Sequence, residues 1–386
     1  MENIEKLSRD KCTGCLLCKE VCPKHCISIE SDRLGFLYPM VDGYACINCG
    51  ICVKNCPELT PVDKCLPKDI FAMLWKDYYS LNGCSSGGIA TALATHIVNE
   101  GGVYYGAVSE KDGNVNYQRI STLRDVEFAK GSKYIQSNLK VVYENIKRDL
   151  IEKLKVLFVG SPCQSAAVRN YCKDYLDNLY IVSFPCGGWS SSRVLQSEVY
   201  RISGLKQFQK VVMRNRRKVS LDIYNNDVLI ASSKPNDSYF MTALDYKYSV
   251  RRSCWNCSYS TPERIGDIII GDYWGYMPDG VFSEQEIKGG ISFCSFLTDK
   301  GKKLLESIMP EMKIAKTDYG QVRASNPRLN CQVIQDKHFN YSKRLLFESV
   351  YNGNNIKESV LKTDLKNHLI RKIRGIIKYK ILRREG

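Results

Sequence analysis

Near the start of the chain, one cysteine pattern occurs twice and restricts this sequence more than any other feature. The first copy, CTGCLLCKEVCP, begins at residue 12, and the second, CINCGICVKNCP, begins at residue 46. Both copies have the spacing C-x₂-C-x₂-C-x₃-C-P. Gaps of two residues wind the backbone into a tight loop, in which Gly14 and Gly50 fit well. Pro23 and Pro57 end the two copies, because proline fixes φ and has no N–H group.

The spacing predicts two 4Fe-4S clusters, because a run of this kind supplies three cysteines to one cube and its fourth cysteine to the other. One predicted ligand set is Cys12, Cys15, Cys18 and Cys56, and the other is Cys22, Cys46, Cys49 and Cys52. Between the copies, CISIE and GFLYPMV flank the turn SDRLG and predict a β-hairpin. A pair of all-cysteine zinc sites and a disulfide framework are the alternatives, and two identical copies in so short a segment disfavour both.

The length of the chain, 386 residues, exceeds the usual size of one domain, so we expect one large or two moderate domains after the cysteine-rich module. Cluster ligation requires free thiolates, which predicts a reducing compartment. The N-terminal segment MENIEKLSRD is polar, and no run approaches the roughly 20 apolar residues of a membrane span. These features predict a cytoplasmic protein.

The formal net charge of +15 predicts attraction to anions, such as nucleic acid, anionic lipid, phosphorylated cofactors or an acidic redox protein. The sequence contains no nucleic-acid-binding motif, and its basic residues are spread along the chain except for a concentration at the C-terminus. Nucleic acid is therefore a disfavoured partner. A solvated surface accounts for most of the remaining lysines.

After a proline-containing linker, FAMLW predicts a buried strand, and SSGGIATALATHIV predicts a helix that follows a serine- and glycine-rich loop. Ser86, Gly87 and Gly88 in this loop place N–H groups and the positive end of the helix where a phosphate could bind. The loop matches neither G-x-G-x-x-G nor the Walker pattern, so an ordinary capped helix is the alternative. Lys133, in KGSKYIQS, is either a cation for an anionic group or a surface lysine.

Two consecutive strand-to-helix units, KVLFVGSPCQSAAVR and LYIVSFPCGGW, each carry a cysteine just after the strand. Continuous apolar strands alternating with helices predict an α/β domain with a largely parallel sheet, whose ligands gather at the carboxyl ends of the strands. Together with CWNC, these units supply four thiols, Cys163, Cys186, Cys254 and Cys257. Four thiols suit a third 4Fe-4S cluster or a zinc site, and inert buried cysteines are the alternative at Cys163 and Cys186.

The other cysteines have no predicted ligand role, and most are interpreted as packing residues: Cys26, Cys65, Cys84, Cys172, Cys294 and Cys331. The C-terminal segment, residues 357–386, is strongly basic and has apolar residues at helical spacing: Leu361, Leu365, Leu369, Ile373, Ile376, Ile377 and Ile381. Two interpretations of this basic helix stay open. It docks on its own domain, or it lies on the anionic inner face of a membrane.

In this order, the motifs resemble the beta subunits of coenzyme F(420) hydrogenases and dehydrogenases, their bacterial relatives and the plant-type hydroxymethyl-chlorophyll reductases. The resemblance covers most of residues 1–300 and rests on both cysteine runs and on SSGGIATAL, GSKYIQS, VGSPCQSAAVR, FPCGG, CWNC and GDIIIGDYWG. It implies an α+β two-cluster ferredoxin module over residues 1–60 and a flavin- and iron-sulfur-binding α/β domain over 70–300. The remaining residues, 301–386, resemble the family least and are expected to form a helical, basic C-terminal region.

What the resemblance implies is FAD beside the third cluster, with Ser86, Gly87, Gly88 and Lys133 near the flavin. The expected function is an oxidoreductase, or a subunit of one, that moves electrons between a ferredoxin-like partner and an organic acceptor. Archaeal members of the family use a deazaflavin coenzyme, whereas many bacterial relatives lie among genes for cell-surface polysaccharides. The alternatives are an electron-relay subunit without flavin and a zinc-stapled binding module of polysaccharide biosynthesis. No catalytic acid or base is predicted.

Overall fold

The computed structural model describes residues 2–140, 142–335 and 339–382, with side chains of the last helix described as far as residue 375. The N-terminal module consists of two short helices around a hairpin: α1 (Leu17–Glu20), β1 (Ile27–Ser31), β2 (Leu37–Val41) and α2 (Ile51–Asn55). The strands pair antiparallel, from Ile27 opposite Val41 to Ser31 opposite Leu37. The predicted hairpin between the two cysteine runs is confirmed.

The rest of the chain alternates strands and helices and ends in helices. Its first part contains β3 (Ile70–Trp75), α3 (Ile89–Asn99), β4 (Val103–Ser109), β5 (Val115–Ile120), α4 (Leu123–Ala129), α5 (Val142–Ile151), β6 (Val156–Gly160), α6 (Pro162–Tyr171), β7 (Leu179–Ser183) and α7 (Ser192–Ser203). Its second part contains β8 (Lys210–Asn215), β9 (Lys218–Asn225), β10 (Val228–Ser233), α8 (Tyr239–Asp245), β11 (Ile268–Asp272), α9 (Glu284–Gly289), β12 (Ser292–Phe296), α10 (Asp299–Ile308), β13 (Met312–Thr317), α11 (Tyr319–Ser325), α12 (Tyr341–Val350) and α13 (Ile356–Leu382).

Eight strands form one mixed sheet in the order β13-β3-β12-β11-β7-β6-β4-β5. The central strands β11, β7, β6 and β4 run parallel, as the apolar strand-to-helix units predict, and the strands on both flanks pair antiparallel. The fold is therefore an α/β domain with a parallel core after a ferredoxin-like module. β13, which follows residue 300, completes one edge of this sheet by pairing with β3 along its whole length.

A second, three-stranded antiparallel sheet, in the order β10-β9-β8, lies between α7 and α8 in the sequence and was not predicted. The turn between β9 and β10 contains Asn226 and Asp227, both with positive φ, which is the conformation of a tight hairpin turn. The sequence NND at residues 225–227 is typical of such a turn, because asparagine and aspartate tolerate positive φ. This small sheet supplies Arg214 and Arg216, which approach the carboxyl edge of the large sheet.

The basic helix α13 packs on α8 and α12. Val360 and His368 are buried on its inner side, whereas Leu365, Leu369 and Ile373 are about half exposed. The helix therefore docks on its own domain with one side and leaves an apolar stripe partly exposed on the other. The predicted apolar positions Ile376, Ile377 and Ile381 lie outside the described side chains. Over the described residues, no helix combines the length and the apolar character that crossing a bilayer requires.

Candidate metal centres and cofactor cavity

The first predicted set of thiols lies where the N-terminal module contacts the α/β domain. Burial raises the pKa of Cys18 well above its usual value, and the nearby Cys15, Cys12 and Cys56 raise it further. Burial, followed by the charge of Cys15, likewise raises the pKa of Cys56 to about 12. Such mutual effects require the four sulfur atoms to lie close together. Cys56 therefore lies beside the thiols of the other copy of the motif.

The loop that carries this first set is buried by contacts with the larger domain. Gln136 donates its Nε2–H to the carbonyl oxygen of Thr13 over 2.8 Å, and the Tyr143 hydroxyl donates to the carbonyl oxygen of Cys15 over 2.9 Å. Leu17 is fully buried in the core built around β4, β6 and α5. These contacts fix the loop, in which Cys12 and Cys18 are buried.

The second predicted set surrounds a small recess on the other side of the module. The recess is lined by all four predicted ligands, Cys22, Cys46, Cys49 and Cys52, and also by Cys26. The Sγ atoms of Cys22 and Cys26 are 3.4 Å apart. Burial and the hydrogen bond to Cys22 raise the pKa of Cys26 to about 12. Cys26, interpreted from sequence as a packing residue, is thus a direct neighbour of this set, while Cys49 is exposed to solvent.

The third predicted set lies at the carboxyl ends of β6 and β7. Burial raises the pKa of Cys163 well above its usual value, and Cys257, Cys186 and Cys254 add to this effect. Burial likewise raises the pKa of Cys254 to about 12. Backbone N–H groups of Gly188, Trp189 and Tyr259 donate to Cys186, Cys254 and Cys257, respectively. N–H donors of this kind orient cysteine ligands and stabilise the thiolate form.

A buried cation tests whether the third set suits an anionic cluster. Arg264 is 1% exposed, and its charge lowers the pKa values of Cys186 and Cys257 against the larger effect of burial. Two of its nitrogens donate to backbone carbonyls, but its Nε–H has no partner among the described residues. A buried cation is stabilised by a nearby anion. The residues present therefore fit a thiolate-ligated cluster of net negative charge.

The thiols are spaced differently from the ligands of a single-ion site. In the described parts of the chain, no three His, Cys, Asp or Glu side chains converge on one position suited to a single metal ion. A cube of four irons and four sulfides is larger than one ion and holds its ligands farther apart. The grouping of the thiols is accordingly defined by their mutual effects on pKa and by the recess that they line.

Tyr259 lies near thiols of both the first and the third set. Burial raises its pKa strongly, and Glu58, Cys163 and Cys15 raise it further, so this phenol is near thiols of both sets. Cys186 of the third set also forms part of the wall of a cavity of about 510 Å³. Cys18 and Cys56 of the first set share one buried cluster with Cys22 and Cys52 of the second set, so the three sets and the cavity form a continuous series of neighbouring sites.

The cavity is also lined by Ser86, Gly88 and Lys133, three of the four residues expected near a cofactor. Gly87 does not line it. The Gly87 N–H donates to Ser292 Oγ over 2.9 Å, and a Cβ at this position would lie 2.4 Å from the carbonyl oxygen of Met73. Gly87 is thus required for close packing of the loop on β3, and this contact places its neighbours at the cavity.

Three polar features of the cavity wall suit a bound anion. No side chain caps the first turn of α3, whose residues Ile89 and Ala90 line the cavity. Lys133 donates to the carbonyl oxygens of Ala129 and Lys130 over 2.9 and 2.8 Å, and burial lowers its pKa to about 7. The indole N–H of Trp189 is buried without a partner among the described residues.

Two family models match this chain. Residues 11–59 match the 4Fe-4S dicluster domain, and residues 153–321 match the C terminus of the coenzyme F(420) hydrogenase/dehydrogenase beta subunit. Both matches lie in one polypeptide. The family resemblance inferred from the motifs is confirmed, and the combination is characteristic of iron-sulfur electron-transfer subunits. The beta-subunit match includes Cys163, Cys186, Cys254 and Cys257.

Two curated relatives match this chain over 56 residues each. NADH-quinone oxidoreductase subunit I 2 of Geobacter metallireducens is 39% identical over 56 residues, covering 13% of this chain and 42% of the relative. Subunit I of the same enzyme from Pelobacter propionicus is 39% identical over 56 residues, covering 12% of this chain and 30% of the relative. The chain thus spans less than half the length of these curated relatives.

Among solved structures, a chain of the F(420)-reducing NiFe hydrogenase complex from Methanosarcina barkeri, studied by xenon derivatization, is similar. It shares 19% sequence identity and has a TM-score of 0.45, with 65% of this chain and 82% of that chain covered.

The structure shows that Arg214 and Trp274, which sequence reasoning missed, line the cavity. Arg214 forms two hydrogen bonds with Asp272, of 2.7 and 2.6 Å, and its guanidinium stacks on Trp274. Arg217 stacks on the same indole, with 5.1 Å between its Cζ and the ring centre. The segment MRNRRK, residues 213–218, is visibly basic in the sequence. Its position beside the carboxyl edge of the large sheet depends on the three-stranded sheet, which was not predicted.

Proposed function

We propose that this protein is an iron-sulfur flavoprotein oxidoreductase, or a subunit of one, that transfers electrons between a ferredoxin-like one-electron partner and an organic acceptor. The observation that carries the proposal is the series of neighbouring sites from the exposed Cys49, through the first and third thiol sets, both near Tyr259, to the cavity wall at Cys186. Such a series suits stepwise movement of single electrons.

Three 4Fe-4S clusters would be held by the three predicted sets. The exposed second set would exchange electrons with the partner protein, and the buried first set would connect it with the third. Tyr44 and Ile47, close to Cys49, are fully and more than half exposed, so an apolar contact surface lies beside the second set. Apolar and aromatic exposure next to a redox centre suits a transient protein partner.

FAD is the cofactor that we propose for the cavity, because the wall offers separate groups for its anionic and aromatic parts. Bound FAD would supply two-electron chemistry toward the organic acceptor and one-electron exchange with a cluster. The uncapped first turn of α3 and Lys133 would hold the phosphates, and the Trp189 indole N–H would donate to the ligand. The neighbouring Cys186 would keep the third cluster close to this cavity.

The organic acceptor proposed for the mouth of the cavity is an anion, and a deazaflavin coenzyme is one candidate. Arg214 and Lys130 line the same cavity as Lys133, while Asp272 is engaged by Arg214. An anionic acceptor would be attracted by this wall. The protein would work in the cytoplasm.

Anaerobic purification followed by iron, sulfide, zinc and flavin analysis tests the proposal. We expect about 12 irons per chain, from four irons in each of three cubes, together with FAD. Iron and sulfide without flavin would instead support an electron-relay subunit. A colourless protein containing zinc would contradict the proposal and support the zinc-stapled binding module of polysaccharide biosynthesis.

A second proposal concerns the exposed stripe of α13 and a peripheral contact with an anionic membrane. Leu365, Leu369 and Ile373 are about half exposed, and Lys362 and Lys366 next to them are exposed as well. Apolar insertion and basic attraction act together in interfacial helices. Co-sedimentation with anionic vesicles should fall at high salt and in a Leu365→Ser/Leu369→Ser variant. Binding that is equal in the variant and the unchanged protein would contradict this proposal.

A further inference from the structure

Arg251 is a fully buried arginine whose guanidinium lies against the first thiol set. Its Nε–H donates to the carbonyl oxygen of Cys12 over 2.8 Å, and Nη2 is 3.7 Å from the Cys12 Sγ atom. A second Nη2–H donates to the carbonyl oxygen of Leu37 over 2.8 Å, and Nη1 donates to Gln136 Oε1 over 3.2 Å. The guanidinium also stacks on Tyr38, with 4.3 Å between Cζ and the ring centre.

The partners of Arg251 leave its positive charge uncompensated. Over the described residues they are carbonyl groups, an amide, a thiol and two aromatic rings, and no carboxylate is among them. A buried charge without a counter-charge is strongly unfavourable. The nearest group that could become anionic is the Cys12 thiol, which becomes a thiolate when it ligates iron.

The loop of the first set is shaped to receive this guanidinium. Gly14 has φ of +69°, and a Cβ at this position would lie 2.7 Å from Arg251 Nη1. The corresponding residue of the second copy is Asn48, also with positive φ, where a side chain is accommodated. Lys24, the cation that lines the second recess, is exposed to solvent. The buried cation therefore distinguishes the first set from the second.

We propose that Arg251 is the built-in counter-charge of the first cluster and sets its reduction potential. Reduction adds one negative charge to the cluster, and a nearby buried cation and an N–H···S contact both favour the more negative state. Arg251 acts through the cluster and is a positioning residue as well. Its backbone N–H donates to the carbonyl oxygen of Trp189, and its own carbonyl oxygen accepts from the N–H of Cys254, so it connects the first set with the third.

This inference rests on the proposed clusters, and its test uses the complete protein. In Arg251→Gln, an anaerobic potentiometric titration followed by electron paramagnetic resonance should show the first cluster shifted to a more negative potential. The potential of the second cluster, identified by its altered signal in Cys49→Ser, should stay unchanged. Gln136→Glu is a nearly isosteric second variant that places a carboxylate at Arg251 Nη1. It should shift the same cluster in the same direction.

Arg9→Gln is the matched control. Arg9 also stacks on Tyr38, at 5.2 Å, but it is exposed, so solvent screens its charge and no shift is expected. Unshifted potentials in both Arg251→Gln and Gln136→Glu, with iron and sulfide at the level of the unchanged protein, would overturn the inference and leave the proposed function standing. If Arg251→Gln loses its first cluster, the potential of the first cluster in Gln136→Glu tests the inference instead: a shift to a more negative value supports it, and an unshifted value overturns it. Iron and sulfide missing from the unchanged protein would contradict the proposed function itself.

Discussion

The two copies of the cysteine run have the same spacing but opposite environments. In the first copy, Leu16 and Leu17 are buried, and the loop is held by Gln136, Tyr143 and Arg251. In the second, the segment around Ile47 and Cys49 is exposed. One ligand pattern therefore makes an inner site and an outer site. The difference comes from the surface against which each loop packs.

The equivalent residues that begin the two short helices show how the inner site is stabilised. Gly50 precedes α2 with φ of 73°, which glycine adopts without strain, whereas Leu16 precedes α1 with φ of 65°. A left-handed conformation costs a residue other than glycine roughly 1–2 kcal/mol. Burial of the Leu16 side chain, which is 6% exposed, offsets this cost. A buried interface thus permits a residue that the loop geometry alone disfavours.

The largest expected effect comes from removing the one cysteine that each copy of the run contributes to the cluster of the other copy. Cys56→Ala should remove the cluster held by Cys12, Cys15 and Cys18, and Cys22→Ala should remove the outer one. Each variant should lose about four irons per chain. Iron analysis and electron paramagnetic resonance distinguish the two losses. If Cys56→Ala instead removes the outer cluster, the proposed crossing of ligands is wrong.

A second comparison uses the corresponding positions Leu17 and Ile51. Leu17 is fully buried, so Leu17→Ala should lower the free energy of unfolding by about 2–5 kcal/mol. Ile51 is 36% exposed, and Ile51→Ala should change it by about 0.5 kcal/mol or less. Anaerobic urea unfolding of both variants measures the difference. Equal losses would show that the second copy is also buried in solution, in contrast to this structure.

Removal of iron should follow the same order of exposure. A ferrous chelator under anaerobic, reducing conditions should extract the outer cluster first, because Cys49 is exposed whereas Cys18 and Cys56 are buried. The two signals, assigned through the cysteine variants, should decay at different rates in time courses of electron paramagnetic resonance. Simultaneous loss of both clusters would contradict the distinction between an inner and an outer site.

The smallest expected effect is a pH dependence of FAD affinity, caused by the buried Lys133 of the cavity. Burial lowers the pKa of Lys133 to about 7, so its charge is present below that pH and lost above it. Because a bound anion favours the protonated form, FAD affinity should fall as pH rises above about 7, by at most about tenfold per pH unit. Fluorescence titrations between pH 6 and 9 measure this dependence.

Lys133→Met should bind FAD more weakly and without this pH dependence. Lys76→Met, at an exposed lysine outside the cavity, should behave as the unchanged protein does. If the pH dependence of FAD affinity persists in Lys133→Met, a group other than Lys133 causes it and this prediction is wrong.

Local patterns were sufficient to predict much of this molecule. Three features depend on residues that are adjacent in the chain. They are the spacing of the cysteine runs, the hairpin between these runs, and the apolar strands that precede Cys163 and Cys186. Backbone geometry converts such spacing directly into loops and strands, so their presence could be inferred from the order of the residues alone. The family resemblance, in contrast, was needed to single out Ser86, Gly88 and Lys133, which line the cavity.

The amino-acid sequence by itself predicted the thiol sets and determined the parallel core and the basic helix, because each depends on short-range periodicity. Only the tertiary structure decided which copy of the cysteine run is buried, that Gly87 packs on β3, and that Arg251 lies against Cys12. These outcomes depend on contacts between residues as far apart as Cys12 and Arg251. No local pattern records such a contact, since the position of a buried charge is set by the packing of whole domains.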